Sequence, residues 1–491
     1  MILKAQKTQD TTSMDRLRYQ PPRPLANEIF RAYDIRGIVD EQLSDAMLYH
    51  IGLAVGTQVV RNGEGSIAVG VDGRLSSPRL GQALMAGLAD TGCRVLNLGA
   101  VPTPVLYFGV KTLGTASGIM LTGSHNPSNY NGCKIVIGGQ TLANDSIMAV
   151  HDLIELQDYE RGIGEIEEHF IDQIYQDRIG SDINLARPLK VVLDAGNGIA
   201  GDIAPKLFKQ LGCEVIPLFC EVDGNFPNHH PDPGKPANLI DLQAAVAEHK
   251  ADIGLAFDGD GDRVGVITEA GQMIYPDKLL MLFAEDVISR NPNAEIIYDV
   301  KCTRLLEPFI HSKGGVPTMW KTGHSLIKSK MIETGALLAG EMSGHIFFKE
   351  RWYGFDDGIY SAVRLCEILA NSNVPASIMF NRFPEDVSTP EININVTEDE
   401  KFNLVAQLQQ AQFPTGKVST IDGIRVDYED GWGLVRASNT TPVLVLRFEG
   451  ENRTVLQRIQ DEFQRHLHAV DAKLTVPDYS LWHSIAKLPL T

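Results

Sequence analysis

The sequence has few cysteines, and none of them is paired in a motif. The six cysteines of this 491-residue chain are widely spaced, and no CxxC pair occurs. This spacing fits neither a disulfide framework nor a zinc site. It is typical of reduced thiols in a cytosolic protein, and we therefore expect a cytoplasmic protein without disulfides.

Long hydrophobic runs are also missing. No stretch approaches the roughly 18 apolar residues that a membrane span needs. Residues 1–24 are polar and lack the apolar stretch of a signal peptide. We expect residues 1–24 to form a flexible tail and the protein to have no membrane partner.

Positive charge is in deficit. The chain has 44 Lys and Arg against 62 Asp and Glu, which gives a formal net charge of −18. Nucleic acid and anionic membranes are therefore not expected partners. A small anionic substrate is not excluded, because a few Arg and Lys side chains can draw it into one cleft.

What the sequence does contain is enough apolar material for several cores. Hydrophobic residues make up 43% of the chain and charged residues 22%, as in ordinary globular proteins. A single core rarely extends beyond about 250–300 residues. The length therefore predicts two to four domains.

One pattern recurs three times along the chain. An apolar strand ends in Asp and is followed by a turn and a helix-like run; these aspartates are Asp72, Asp194 and Asp299. A second unit follows each time, in which two apolar strands flank a polar, Gly-rich loop. The loops centre on Ser124, Asp260 and Ser343.

The repeat predicts an α/β fold. Strands that alternate with helices form mixed or largely parallel sheets, and ligand loops gather at the carboxyl ends of such strands. We expect three consecutive similar mixed α/β domains plus a C-terminal α+β domain around a central cleft. The predicted boundaries are 25–170 (serine loop), 171–272 (acidic loop), 273–384 (third loop) and 385–491 (a fourth loop, centred on Ser438).

The first loop, TGSHNPSNYNGCK, presents Ser124 after a glycine at the end of a strand. Such a serine is exposed and can carry or attack a phosphoryl group. His125 and Lys134 supply positive or proton-transferring groups nearby. The alternative is an Asn-rich turn with a capping serine.

The second loop, DGDGDR, places Asp258, Asp260 and Asp262 at alternate positions. Their mutual repulsion predicts a bound cation, and oxygen-only ligands suit Mg²⁺ or Ca²⁺. The loop lacks the Glu at the twelfth position of an EF-hand. Arg263 follows at once and can fork onto a phosphate beside the metal; the alternative is an acidic hairpin turn.

Two further loops are weaker signals on their own. GEMSGH places Glu341 and Ser343 where they can hold two sugar hydroxyls. RASNTTP offers an arginine, Arg436, and a run of hydroxyl and amide side chains that can cradle a phosphate. Each could equally be a solvated turn. Smaller elements are FRAYDIRG, with Tyr33 and Arg36, and KTGHS, with His324.

Taken together, these segments resemble the α-D-phosphohexomutase family, most closely its bacterial phosphomannomutase/phosphoglucomutase branch. The resemblance covers roughly residues 25–470 and rests on FRAYDIRG, TGSHNP…NGCK, DGDGDR, KTGHS, GEMSGH and RASNTTP, in the family's order. It implies a heart-shaped molecule of four domains. It also implies an isomerase that interconverts hexose 1-phosphate and hexose 6-phosphate, for mannose and glucose, by way of a hexose 1,6-bisphosphate.

The resemblance also implies roles for individual residues. Ser124 would be the phosphoserine and would share one Mg²⁺ per chain with Asp258, Asp260 and Asp262. Glu341 and Ser343 would meet the sugar hydroxyls O3 and O4. The non-reacting phosphate would be held by Arg436, Ser438, Asn439 and Thr440. The reacting end would be lined by Arg36, Lys134, Arg263, Lys301, His324 and His345, with Tyr33 also binding substrate and with His324 and Lys134 as candidates for proton transfer.

Two rival functions stay open on the sequence alone. Phosphoglucosamine mutase performs the same chemistry, but Met342 stands where that branch typically has Gln. A metal-dependent sugar phosphatase would let water attack the phosphoserine. We expect small-molecule sugar phosphates as the partners and a monomeric protein.

Overall fold

A computed structural model describes residues 19–477 of the chain. Of the predicted tail, residues 1–18 lie outside this range. Residues 19–24 pack on the first domain: the ring of Tyr19 stacks on Tyr49 at 4.8 Å, and Arg23 donates to the backbone oxygen of Glu155 at 2.7 Å.

The first domain contains a seven-stranded mixed sheet in the order β1-β5-β4-β2-β3-β7, with β6 beside β5. Its strands are β1 (Ile35–Ile38), β2 (Ser66–Val71), β3 (Arg94–Ala100), β4 (Gly118–Leu121), β5 (Tyr130–Ile137), β6 (Gln140–Thr141) and β7 (Ile166–Glu168). Its helices are α1 (Asp45–Arg61), α2 (Ser77–Ala89), α3 (Thr103–Thr112) and α4 (Asp145–Leu156).

The second domain has a five-stranded sheet in the order β12-β11-β10-β8-β9. Its elements are α5 (Asp172–Asp182), β8 (Lys190–Asp194), α6 (Ala200–Gln210), β9 (Glu214–Leu218), α7 (Ile240–His249), β10 (Ile253–Phe257), β11 (Val264–Thr268) and β12 (Met273–Ile274). The sequence boundary placed Met273–Ile274 in the third domain, whereas these residues pair with β11.

The third domain has a four-stranded sheet in the order β14-β13-β15-β16. Its elements are α8 (Pro276–Arg290), β13 (Glu295–Asp299), α9 (Leu306–Ser312), β14 (Val316–Trp320), α10 (His324–Thr334), β15 (Leu338–Gly340), β16 (Ile346–Phe348), α11 (Gly358–Ala370) and α12 (Ala376–Asn381).

The fourth domain has a six-stranded sheet in the order β17-β22-β21-β20-β19, with β18 beside β22. Its elements are β17 (Val387–Ser388), β18 (Ile392–Asn395), α13 (Lys401–Leu408), β19 (Lys417–Ser419), β20 (Ile424–Asp427), β21 (Gly431–Ala437), β22 (Val443–Gly450) and α14 (Arg453–Val470). Neighbouring strands in this sheet run antiparallel.

The predicted repeat is confirmed by the pairing of the strands. In each of the first three domains, an Asp-ending strand pairs in parallel with the strand before the loop, and that strand pairs antiparallel with the one after it. The central strands are buried on both faces, which explains their continuous apolar runs. The three loops therefore leave their sheets at equivalent points, as the α/β prediction requires.

The cores divide the molecule unequally. One continuous hydrophobic cluster joins the first three domains and includes Phe108, Phe208 and Phe283. The fourth domain has its own cluster around Phe448 and Phe463. The first three domains are therefore packed as one unit, to which the fourth is attached.

Candidate active site

The four loops meet around one cavity of about 790 Å³. Residues of all four domains line it. Among the predicted site residues, those lining the cavity are Tyr33, Arg36, Ser124, Lys134, Arg263, Lys301, His324, Glu341, Ser343, His345, Arg436, Ser438 and Thr440. The three aspartates of the acidic loop lie fully buried beside it.

The serine loop is held in a strained backbone conformation. Ser124 has φ +47°, in the left-handed region that is unfavourable for a residue with a side chain. Its amide donates to the hydroxyl of Thr122 at 2.8 Å, and Asp72 accepts from that hydroxyl at 2.8 Å. Strain of this kind persists where neighbouring groups fix the backbone, and it clusters at functional sites.

Sequence reasoning missed Arg74, which supports this loop. The guanidinium of Arg74 is buried and donates to the backbone oxygens of Ser124 at 2.8 Å and Asn126 at 2.6 Å. It also donates to Asp72 at 3.1 Å. The signal was available, since Arg74 follows Asp72 by two residues in the first copy of the repeat.

The acidic loop packs directly against the serine loop. A side chain at Gly259 would place its Cβ 2.3 Å from the backbone oxygen of Ser124, so only glycine fits there. The hydroxyl of Ser124 donates to Asp258 at 3.0 Å. Thr103, at the start of α3, donates to Asp260 at 2.5 Å. The serine and the aspartates thus come from different domains but form one cluster.

This cluster has the donor set of a hard divalent cation. One oxygen of each aspartate lies within 4.8 Å of the others. Among residues 19–477, no hydrogen-bond donor satisfies the buried Oδ1 of Asp260, while Oδ1 of Asp262 faces Nε2 of His345 at 3.3 Å. Buried carboxylate oxygens normally have a partner, so the residues present fit a metal bound through oxygen.

Two cations compensate part of the negative charge. Lys134 on β5 donates to Asp260 at 2.7 Å and also to Asp262. Burial alone would raise the pKa of Asp262, but Lys134 and His345 hold it well below its usual range. Arg263 donates to Asp258 at 2.8 Å. Its buried Nη2 lacks a partner within the described part of the chain and is therefore available to a phosphate.

Two histidines of the third domain stack beside the cluster, with ring centroids 5.8 Å apart. Burial holds the pKa of His324 well below its usual value, with Lys328 and Lys134 adding to the effect. Burial would also lower the pKa of His345, but Asp262 and Glu341 raise it to about 10. His324 is therefore neutral at physiological pH, and His345 carries the positive charge.

The third loop places Glu341 and Ser343 next to His345. Ser343 Oγ lies 2.8 Å from Nδ1 of His345, and Glu341 lies 3.3 Å from the same nitrogen. Glu341 also accepts from the amide of Gly323 at 2.5 Å. The carboxylate is thus fixed from two sides while it lines the cavity.

At the opposite end of the cavity, the fourth domain contributes the turn between β21 and β22. Arg436 donates through Nε to Asp422 at 2.9 Å, and its buried Nη2 lacks a partner among residues 19–477. The amides of Thr440 and Thr441 donate to the hydroxyl of Ser438 at 3.3 and 3.2 Å. These groups form a compact, positively charged turn.

Residues from the first domain reach both ends of the cavity. Arg36 donates to Asn126 and to Asp34, both at 2.5 Å. The ring centroids of Tyr33 and His324 lie 5.9 Å apart. Burial raises the pKa of the Tyr33 hydroxyl, and Arg436 and the side chain of Asn439 partly offset this effect. Asn439 thus lies near Tyr33, although it does not line the cavity itself.

The family resemblance implies that Lys301 lines the reacting end of the cavity, whereas its contacts in the structure are with the fourth domain. Lys301 follows β13 toward the fourth domain and donates to Glu391 at 3.0 Å. The charge of Arg436 is close enough to act on the pKa of Lys301. Lys301 therefore belongs with Arg436, which the motif order alone could not reveal.

A serine against a buried acidic cluster, in a cleft bounded by arginines and lysines, defines a phosphoryl-transfer enzyme. Comparisons with known proteins extend this result. Four family models match in sequence: phosphoglucomutase/phosphomannomutase alpha/beta/alpha domain I at 27–161, domain II at 168–271, domain III at 275–387 and the C-terminal domain at 391–466. The chain belongs to the phosphoglucomutase/phosphomannomutase family.

Individual relatives agree with this assignment. The chain is 61% identical to a phosphomannomutase/phosphoglucomutase of Pseudomonas aeruginosa, over 92% of this chain and 98% of the relative. It is 52% identical to a phosphoglucomutase of Neisseria gonorrhoeae, over 90% and 96%. A crystal structure of a phosphoglucomutase/phosphomannomutase family protein from Burkholderia thailandensis matches with TM-score 0.88 and 51% identity, over 92% and 100%.

The predicted enzyme class is confirmed by these relatives. The chain is a hexose-phosphate mutase, an isomerase of carbohydrate metabolism. The four-domain α/β architecture is confirmed as well. Among the helices between residues 19 and 477, none is long and apolar enough to cross a membrane.

Proposed function

We propose that the chain interconverts the 1- and 6-phosphates of glucose and mannose by way of a phosphoserine at Ser124. The observation that carries this proposal is the position of Ser124. Its hydroxyl lies 3.0 Å from the buried Asp258, in a cavity with one arginine nitrogen at each end that has no hydrogen-bond partner among residues 19–477. Names of the relatives at 52–61% identity support the choice of sugars.

The reaction exchanges one phosphoryl group at each half. Phosphoserine gives its phosphoryl group to the free O6 of a hexose 1-phosphate: the bond from serine oxygen to phosphorus breaks, and the bond from O6 to phosphorus forms. The proton of O6 passes to a base of the enzyme. The resulting hexose 1,6-bisphosphate turns over, and Ser124 recovers the other phosphoryl group from O1.

The residues at the serine end have distinct roles in this scheme. Asp258, Asp260, Asp262 and the phosphorylated Ser124 would hold one Mg²⁺, which withdraws charge from the phosphate. Arg36 and Nη2 of Arg263 stabilise the negative charge on the phosphoryl oxygens during the transfer. His324 is neutral and can accept the proton at the nitrogen that faces the cavity, while Lys134 is the second candidate for proton transfer.

The other residues hold the substrate in either orientation. Glu341 and Ser343 grip O3 and O4, and His345 supports both of them. Arg436, Ser438, Thr440 and Lys301 hold whichever phosphate is not reacting. Asn439 and Tyr33 close this end between the first and fourth domains. We propose that the fourth domain opens on its hinge while the bisphosphate turns.

Further parts of the proposal concern the setting of the enzyme. It acts as a cytoplasmic monomer on small sugar phosphates, and added hexose 1,6-bisphosphate activates it by rephosphorylating Ser124. The boundaries near residues 170, 272 and 384 separate units that carry one loop each.

One assay tests the proposed function against its rivals. We would measure kcat/KM for glucose 1-phosphate, mannose 1-phosphate and glucosamine 1-phosphate, with one activating bisphosphate, together with release of inorganic phosphate. Glucose and mannose differ only at C2. Glu341 and Ser343 bind O3 and O4 and do not contact the C2 hydroxyl, so both sugars should be good substrates. The cationic 2-amino group finds no partner in the third loop.

Two outcomes would contradict this proposal. If glucosamine 1-phosphate had a kcat/KM as high as those of the two hexose phosphates, the enzyme would be better described as a phosphoglucosamine mutase. Stoichiometric release of inorganic phosphate without isomer formation would favour a phosphatase.

A further inference from the structure

A buried carboxylate outside the sequence motifs lies behind the histidine pair. Asp356 precedes α11 and is completely buried. Its Oδ2 lies 3.6 Å from Nδ1 of His324 and 3.9 Å from Nε2 of His345. Within residues 19–477 this oxygen has no hydrogen-bond partner, so it can accept a hydrogen bond from His324.

A buried lysine holds this carboxylate in place. Lys328 on α10 donates to Oδ1 of Asp356 at 2.8 Å. Its Nζ also lies 3.3 Å from Nδ1 of His324 and 4.0 Å from the ring centroid of Tyr107 in the first domain. A donor and an acceptor therefore converge on the same nitrogen of His324.

A second metal ion is not needed to explain this arrangement. Asp262, His345 and Asp356 offer ligand atoms within 4.8 Å of one another. However, Lys134 pairs with Asp262, and Lys328 pairs with Asp356. The negative charge is thus already compensated by side chains.

We propose that Lys328 and Asp356 are a positioning pair for His324, one serving Nδ1 as donor and the other as acceptor. When His324 is neutral and ready to accept a proton at Nε2, Nδ1 carries the ring hydrogen and donates to Asp356, and it still does so after Nε2 has taken the proton. When the ring is neutral with its hydrogen on Nε2 instead, Nδ1 is bare and Nζ of Lys328 donates to it. The ring keeps its orientation in all three states.

This arrangement suits a reaction that runs both ways through one site. A mutase must take a proton from one sugar oxygen and return a proton to the other, so the same imidazole has to be stable before and after transfer. The partner of the distal ring nitrogen fixes which nitrogen is protonated. The inference rests on the proposed role of His324 in proton transfer.

The test uses Asp356→Asn in the full-length enzyme, because Asn keeps the shape but cannot accept as an anion. Proton transfer by a positioned side chain contributes about 10²- to 10⁴-fold to the rate, and a ring that is no longer held in place should lose part of that contribution. We expect kcat for glucose 1-phosphate to fall by about 10-fold or more with KM within about twofold, because the pair does not touch the substrate. Lys328→Met, which keeps the stem over Tyr107, should fall similarly.

The matched control is Asp357→Asn. Asp357 is equally buried and adjacent in sequence, but it accepts from Tyr175 and Trp352 and not from the histidines. Its variant should keep kcat near that of the parent even if the melting temperature drops. Melting temperatures of all variants separate a folding defect from a catalytic one.

A double-mutant cycle decides whether the pair acts through His324. In a His324→Ala background, Asp356→Asn should cost nothing further in kcat. The pH dependence of kcat should also shift in Asp356→Asn, because the variant removes one charge beside His324. The other charged groups that face His324 are unchanged in this variant; they are Lys134, Asp262 and His345.

Three results would overturn the inference. The first is an unchanged kcat in Asp356→Asn. The second is a loss as large in the His324→Ala background as in the parent. The third is a His324→Ala enzyme with full activity. Such a result would show that His324 does not transfer the proton, whereas the formation of isomer would still support the proposed mutase function.

Discussion

The two ends of the cavity are built differently. At the serine end, Ser124 and the three aspartates come from two domains that share one hydrophobic core, and the aspartates are fully buried. At the other end, Arg436 and Ser438 come from the fourth domain, which has a separate core. At this end Lys301 of the third domain pairs with Glu391 of the fourth; the side chain of Lys301 is 9% exposed and that of Glu391 is 44% exposed.

The difference matches what each end has to do. Phosphoryl transfer depends on charges and dipoles that are fixed before the reaction, and burial within a shared core fixes them. The other end has to bind a phosphate in two orientations and release it while the bisphosphate turns. A domain with its own core, joined to the third domain by a small number of ion pairs, permits that release.

The largest effect should come from the serine end. Asp260→Asn removes one charged oxygen ligand from the proposed metal site and leaves Lys134 with one carboxylate fewer. Metal catalysis is worth several kcal/mol, so we expect kcat to fall by about a thousandfold. Chelation of the native enzyme should abolish turnover, and added Mg²⁺ should restore it.

Asp202→Asn is the control for this prediction, because Asp202 pairs with Lys206 on the exposed face of α6 in the same domain. It should retain full activity. An Asp260→Asn enzyme that works normally in the presence of chelator would contradict the metal assignment.

A smaller effect of a different kind is expected at the other end. Arg436→Ala should weaken binding more than chemistry, because the distal phosphate keeps the same charge in the ground and transition states. A charge-assisted hydrogen bond contributes about 1.5–3 kcal/mol, which corresponds to roughly a 10- to 100-fold rise in KM. Steady-state kinetics with glucose 1-phosphate measure this.

Arg458→Ala is a suitable comparison, since Arg458 is exposed on α14 and pairs with Asp430. It should not change KM. If Arg436→Ala instead kept its KM and lost kcat, the two ends of the cavity would not divide binding and chemistry as we describe.

The smallest effect should be a gain. Glu391→Gln removes the charge that competes for Lys301, while the amide oxygen can still accept from it. Because the side chain of Glu391 is 44% exposed, we assign this charge about 0.2–1 kcal/mol, as for a pair in contact with solvent. We expect KM for the sugar phosphate to fall by about two- to fivefold, with kcat unchanged. Glu385→Gln, which removes an exposed carboxylate paired with Lys278 away from the cavity, should leave KM as it is. A higher KM in Glu391→Gln would mean that Glu391 positions Lys301 for the phosphate.

Much of the fold was predictable because local pattern and topology agree. An apolar strand ending in Asp occurs three times, each time followed later by two strands that flank a Gly-rich loop, and in each domain this loop leaves the sheet at the same point. The boundary at Met273–Ile274 was harder, because a two-residue strand on the edge of a sheet has almost no sequence signal.

Site residues that belong to a sequence motif could be predicted. Residues outside the motifs that contact them only in the folded structure could not. Arg74 stands within the first copy of the repeat, but its contact with Ser124, like the position of Asp356 beside His324, joins segments far apart in the chain. The end of the cavity at which Lys301 lies depends on how the third and fourth domains are placed. Such relations are set by tertiary packing, which a single sequence does not display.

The central claim is that Ser124 carries the phosphoryl group between the two sugar oxygens. Its most direct test is a rapid-quench experiment with ³²P-labelled hexose 1,6-bisphosphate and the unphosphorylated enzyme, followed by peptide mapping. We predict that the label appears on the peptide containing Ser124 and that unlabelled hexose 1-phosphate chases it at least as fast as kcat. A label on another residue, or a Ser124→Ala enzyme that isomerises at the parental rate, would contradict the account.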